Sequence, residues 1–88
     1  MHQQEFEIVN KLGLHARASA LFVKTASKFK SEVKLARESV EVNGKSIMGI
    51  MMLAAAKGTK IRLTVEGSDE DEAMEVIGAL IVDGFGEE

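Results

Sequence analysis

Cysteine, proline, tryptophan and tyrosine are all absent from this chain. Without cysteine there is no disulfide framework and no thiolate zinc site. Without proline there is no proline-rich recognition segment. The two histidines, His2 and His15, are too few and too widely spaced to suggest a metal site. A basic excess is missing as well. The net charge is -3 and the isoelectric point about 5.4, which argues against broad nucleic-acid binding. The longest apolar run, Ile47 to Ala56 with Gly49 counted in, is well short of a membrane span, so no membrane insertion is expected. The N-terminal MHQQEFEIV carries neither a basic segment nor an apolar one. No signal peptide is expected there, and the chain reads as cytoplasmic.

What is present suits one small globular domain over residues 1–88, with 45% hydrophobic and 28% charged residues. Glu5-Phe6-Glu7-Ile8 alternates polar and apolar, the mark of a strand with one wet face. From Ala16 the apolar residues fall at helical spacing through Ala18, Leu21, Phe22, Ala26 and Phe29. Glu32–Ala36 alternates again, and Val40–Val42 is its short partner before the Asn43-Gly44 turn. Ser46 opens a second helix expected to reach about Ala56 and to stop at Gly58. Lys60–Glu66 is the clearest strand. Ser68 is expected to cap a third helix with acids in its first turn and a stripe of Ala73, Val76, Ile77, Leu80 and Ile81. Phe85 and the last two glutamates are expected to form a loose end, and His2 a disordered start.

The order is therefore β-α-β-β-α-β-α. Each strand is apolar on one face only, so helices must cover one side of the sheet and water the other. That is an open-faced, two-layer α+β domain. The pattern alone does not separate it from a ferredoxin-like split arrangement.

The chemistry concentrates in Lys11–Ala20, KLGLHARASA. If the helix begins at Ala16, His15 stands at its N-cap, where Ser, Thr, Asp or Asn would cap better. The first turn leaves backbone N–H groups free, and with the helix dipole these make an anion site. Ala16, Arg17 and Ala18 would form that cradle. The same positive end favours a neutral, nucleophilic imidazole. Arg17 adds a fork of donors suited to phosphate oxygens. A nucleophile, an anion cradle and a fixed positive charge together suit phosphoryl transfer through a phosphohistidine. The H-x-R string is short and common, and a histidine near a helix start is usually plain surface.

GLHARASALFVKTASKF, followed about thirty residues later by NGKSIMGIMMLAAAKG, resembles the HPr family of the phosphoenolpyruvate-dependent sugar phosphotransferase system. The resemblance covers essentially the whole chain. It implies an open-faced β-sandwich of four antiparallel strands with three helices on one face. It also implies that His15 takes phosphate on Nδ1 from phosphorylated enzyme I and passes it to the EIIA domain of a sugar permease. The chain would then be a stoichiometric carrier, not an enzyme, with no metal or organic cofactor of its own, and is expected to be a monomer. Arg17 matches the family's arginine beside the phosphohistidine. One departure is Ala18, where family members usually carry proline. Alanine restores an N–H donor and gives up some rigidity.

Ser46 reads first as an ordinary N-cap. The resemblance adds a second role, phosphorylation by an ATP-dependent HPr kinase/phosphorylase. The helix after it is apolar nearly all round. At about 100° per residue, Ile47, Met48, Met51 and Met52 share one face, with Ile50 and Leu53 opposite. A two-layer domain buries only one side, so Ile50 and Leu53 suit the core. The methionine face is then an adaptable docking patch for enzyme I and more than one acceptor. Lys24 and Lys28 lie off the first helix's apolar stripe and could steer partners or be plain solvated surface. Two alternatives stay open. One is a nitrogen-branch carrier relaying phosphate to a regulatory EIIA. The other is a purely regulatory module controlled through Ser46, against which the presence of both His15 and Arg17 argues.

Overall fold

A computed structural model describes residues 1–87. Its elements are β1 (His2–Glu7), α1 (Ala16–Ala26), β2 (Glu32–Arg37), β3 (Val40–Asn43), α2 (Ile47–Met51), β4 (Lys60–Glu66) and α3 (Glu70–Val82), with a short 3-10 turn at Gly84–Gly86. The strands form one antiparallel sheet in the order β1-β4-β2-β3. Alternation decides the faces. Val33, Leu35, Ile61, Leu63 and Val65 are buried under the helices with Phe22, Ile50, Ile77 and Ile81. The opposite face carries Gln3, Glu5, Glu7, Glu32 and Lys34. There Glu5 stands across from Arg62 and Glu7 across from Lys60, opposite charges directly paired on a wet sheet. This is the expected open-faced α+β sandwich.

The structure corrects several sequence expectations. β1 starts earlier than Glu5, because His2 and Gln3 pair with Val65 and Thr64. His2 is therefore part of the sheet and not disordered, with Nδ1 3.3 Å from Asp71 Oδ1. α2 ends at Met51, not near Ala56. After it Ala54 takes φ +49, and the Leu53 and Ala54 carbonyls both accept from Arg37 Nη1 at 3.0 Å. The chain turns there so that the Ala55 carbonyl can accept from Leu14 N–H at 2.9 Å. Gly13 makes that approach possible. It sits at φ +66, and a Cβ on it would lie 2.4 Å from the Ala55 oxygen.

The third helix is also set differently. Its buried stripe is Ala73, Met74, Ile77, Gly78 and Ile81, while Val76 faces out. The Phe6 ring packs against Gly78 so closely that a Cβ there would lie 2.8 Å from it, which rotates the stripe toward Met74. The N-cap is Asp69, not Ser68, and its side chain makes no capping bond. Glu70 Oε1 reaches back to accept from Gly67 N–H at 3.1 Å, holding the turn that leads into the helix.

The Asp69 carboxylate is spent across the fold. It accepts from the Lys30 and Ser31 N–H groups at 2.9 and 3.0 Å and from the Ser31 hydroxyl. The Ser31 hydroxyl, then the Lys30 N–H, hold its carboxyl below the ordinary value of 3.8. A depressed carboxylate stabilises the fold above its unfolded pKa, and that contribution is lost as pH falls through the folded one. The parent is therefore expected to be more stable than Asp69→Asn near neutrality, with the gap closing below about pH 3.8. Urea unfolding of both chains from pH 7 to pH 2 checks this. A gap independent of pH would remove the ionised Asp69 from the account.

Candidate functional site

His15 is the N-cap of α1, with extended backbone at φ -74 and ψ 180. Its Nδ1 accepts from the Arg17 backbone N–H at 3.3 Å. An imidazole nitrogen thus fills the place of the usual capping oxygen. The intrahelical ladder begins with Ser19 N–H to the His15 carbonyl at 2.9 Å. Among the described residues the Ala16 and Ala18 N–H groups have no protein partner. Ala16 and Arg17 are exposed, and Ala18 is buried. The first turn of α1 is therefore open at these N–H groups, and Nδ1 faces it through the Arg17 N–H. Ser19 fixes the turn from below, its hydroxyl donating to the Leu14 carbonyl at 3.1 Å.

The other ring nitrogen is engaged as well. His15 Nε2 lies 2.6 Å from Glu87 Oε2. Glu87 Oε1 accepts from Asn10 Nδ2 at 3.0 Å, and that same Nδ2 donates to the Gly13 carbonyl at 2.8 Å. Arg17 Nε is 3.9 Å from Glu87 Oε2, with its side chain 81% exposed. The bond from Asn10 does most to hold the Glu87 carboxyl below its usual range; burial opposes it, and His15 and then Arg17 add to the lowering. The C-terminal segment is therefore not loose through Glu87: Phe85 is buried and Glu87 N–H donates to the Gly84 carbonyl at 3.0 Å. Glu88 lies outside the described residues. Neither Asn10 nor Glu87 stood out in the sequence, because each is defined by its distant partner and not by a local pattern.

His15 stands between two shallow hollows. One, of about 500 Å³, is lined by Arg17, Ala18, Leu21, Phe85, Gly86 and Glu87. The other, of about 230 Å³, is lined by Leu12, Leu14, His15 and Ala54–Ala56. The described residues contain no group of three or more potential metal ligands and no helix long and apolar enough to cross a membrane.

The model of the family described as "PTS HPr component phosphorylation site" matches residues 2–83. The chain is 61% identical to the phosphocarrier protein HPr of Neisseria meningitidis serogroup A, over 99% of this chain and 98% of that protein. The chain belongs to the HPr family. Among solved structures it is similar to HPr-C-His of Thermoanaerobacter tengcongensis, at 50% identity and a TM-score of 0.96, covering 100% of this chain and 99% of that one. It is also similar to the solution structure of Crh, the Bacillus subtilis catabolite repression HPr. There the identity is 46% and the TM-score 0.67, over 91% of this chain and 95% of that one.

Within this HPr fold the remaining sequence candidates divide cleanly. Ser46 is the N-cap of α2, its hydroxyl accepting from Gly49 N–H at 3.1 Å. Ile50 and Leu53 are buried as expected. Ile47, Met48, Met51 and Met52 are exposed, Met48 and Met52 by 78% and 75%. The turn leaving this patch, Ala54–Ala56, lines the hollow beside His15. Ser46, the methionine face and the histidine are thus linked through one short helix and the turn after it. Lys24 is in the last turn of α1, and both it and Lys28 are exposed and without an ion-pair partner among the described residues.

Proposed function

We propose that this chain is a phosphoryl carrier of the phosphotransferase system, taking phosphate on His15 Nδ1 from phosphorylated enzyme I and giving it to EIIA domains. One observation carries the reading: Nδ1 points into the open first turn of α1, 3.3 Å from the Arg17 N–H. The Nδ1 lone pair attacks phosphorus as the donor's N–P bond breaks and its electron pair returns to the donor ring. The long Arg17 N–H bond to Nδ1 then shifts to a phosphoryl oxygen, with the Ala16 and Ala18 N–H groups and the helix dipole behind it. The chain is consumed and regenerated in each relay cycle, so it acts as a stoichiometric partner and not as an enzyme.

Phosphoenolpyruvate, magnesium and enzyme I, mixed with the chain, test this. The expected product is an acid-labile phosphate that mass spectrometry maps to His15. No phosphate on His15 sinks the reading. Arg17→Ala is expected to slow acceptance about tenfold to a hundredfold without abolishing it, since the guanidinium adds one charge-assisted clamp to a cradle otherwise made of backbone. An unchanged transfer rate would remove Arg17 from the site.

Ser46 is a second phosphate acceptor in this reading, modified by an ATP-dependent HPr kinase/phosphorylase. Its place at the start of the methionine helix supports a switch on docking. Ile47, Met48, Met51 and Met52 form the docking patch for enzyme I and the acceptors, and the exposed Lys24 assists by charge.

A further inference from the structure

We propose that Glu87 is a positioning residue for this relay: its carboxylate keeps the proton of His15 on Nε2, leaving the lone pair on Nδ1, and balances the charge of the phosphorylated ring. The inference rests on the reading of His15 as the phosphoryl acceptor.

The geometry requires a particular tautomer. A carboxylate only accepts hydrogen bonds, so at 2.6 Å from Glu87 Oε2 the Nε2 atom must donate. In a neutral imidazole the lone pair then resides on Nδ1. That is the nitrogen facing the helix N-terminus, and it is already accepting from Arg17 N–H. Without the carboxylate, only the long 3.3 Å bond from the Arg17 N–H would favour this tautomer, and an Nδ1–H ring offers the cradle no nucleophile.

The carboxylate is itself fixed from two sides. Asn10 is 2% exposed and directs one Nδ2 at both Glu87 Oε1 and the Gly13 carbonyl. Both targets are acceptors, so the amide nitrogen has to face them, and Asn10 Oδ1 is left buried without a partner among the described residues. A buried unpartnered acceptor costs stability, and here it accompanies an orientation that serves Glu87. The segment that delivers Glu87 is anchored by Phe85, which is buried although it takes φ +60. That conformation is unfavourable for a bulky side chain. The His15 and Glu87 side chains are only 23% and 19% exposed, so water competes weakly for their bond.

The charge balance follows. When Nδ1 bonds to phosphorus the ring keeps its Nε2 proton and becomes a cation. The carboxylate meets that cation at the edge of the ring away from the phosphoryl group. When the phosphoryl group leaves for an acceptor, the electron pair returns to Nδ1 and the neutral Nε2–H ring is restored. No proton has to move during either transfer.

Glu87→Gln and Glu87→Ala in the full chain test the proposal by nitrogen-15 NMR of the His15 ring and by initial rates of acceptance from phosphorylated enzyme I. The parent is expected to show the Nε2–H tautomer. Both variants are expected to lose its dominance and to accept phosphate about tenfold more slowly, with circular dichroism unchanged. A purely structural role would not move the tautomer. Variants that match the parent in tautomer or in rate would overturn the role of Glu87 while leaving the carrier reading in place. A parent that takes no phosphate on His15 would instead overturn the carrier reading, and the relay role of Glu87 with it.

Discussion

His15→Ala is expected to abolish phosphate acceptance while the fold stands. The cradle would survive: the Ala16, Arg17 and Ala18 N–H groups and the Arg17 guanidinium could still hold an anion, but no lone pair would face it. The structural cost is small. Losing a cap typically costs about 1 kcal/mol, and this one is a long bond of 3.3 Å. The Glu87 carboxylate keeps its bond from Asn10. A loss of about 1 kcal/mol is a minor share of the roughly 5–15 kcal/mol that holds a small domain together. Mass spectrometry after incubation with enzyme I and phosphoenolpyruvate, beside a thermal melt, reads both halves. His2→Ala is the matched control, because His2 sits in β1 beside Asp71 and outside the proposed relay. It is expected to accept phosphate as the parent does. Acceptance retained by His15→Ala would move the nucleophile elsewhere.

The parts of this molecule that were legible in sequence are those set by local rules. β4 reads directly because Ile61, Leu63 and Val65 alternate with residues of the wet face. His15 and Ser46 read as caps because the apolar periodicity starts just after each. The two faces of α2 separate because the helix, though apolar all round, has a sheet on one side only. What escaped is set by distant partners. Helical periodicity runs past Met51, but the Leu14–Ala55 bond and Arg37 end α2 early. Ser68 is a sound cap in isolation, yet Asp69 takes the position while its side chain holds Ser31. The pairs His15–Glu87 and Asn10–Glu87 span 72 and 77 residues, and no periodic pattern encodes them. The candidate site was therefore half legible: His15 at the helix start and the first turn it caps, but not the Glu87 and Asn10 side chains that meet there.

Ser46→Asp is expected to slow acceptance from phosphorylated enzyme I about tenfold, with the effect in KM and not in kcat, and to leave stability unchanged within about 0.5 kcal/mol. The two halves have separate causes. Aspartate is as good an N-cap as serine, so it can replace the hydroxyl that accepts from Gly49 N–H. The helix and its buried Ile50 and Leu53 then keep their places. The docking face changes more. A partner that covers Met48, Met51 and Met52 must also bring the start of the helix into its interface, and a carboxylate there loses water without gaining a partner. Phosphoserine carries up to about two charges, so the modified chain should transfer more slowly still. Ser46→Ala separates charge from capping. It is expected to lose about 1 kcal/mol of stability yet transfer at the parent's rate. If Ser46→Asp binds and transfers as the parent does, Ser46 lies outside the contact and a phosphate there cannot act as a docking switch.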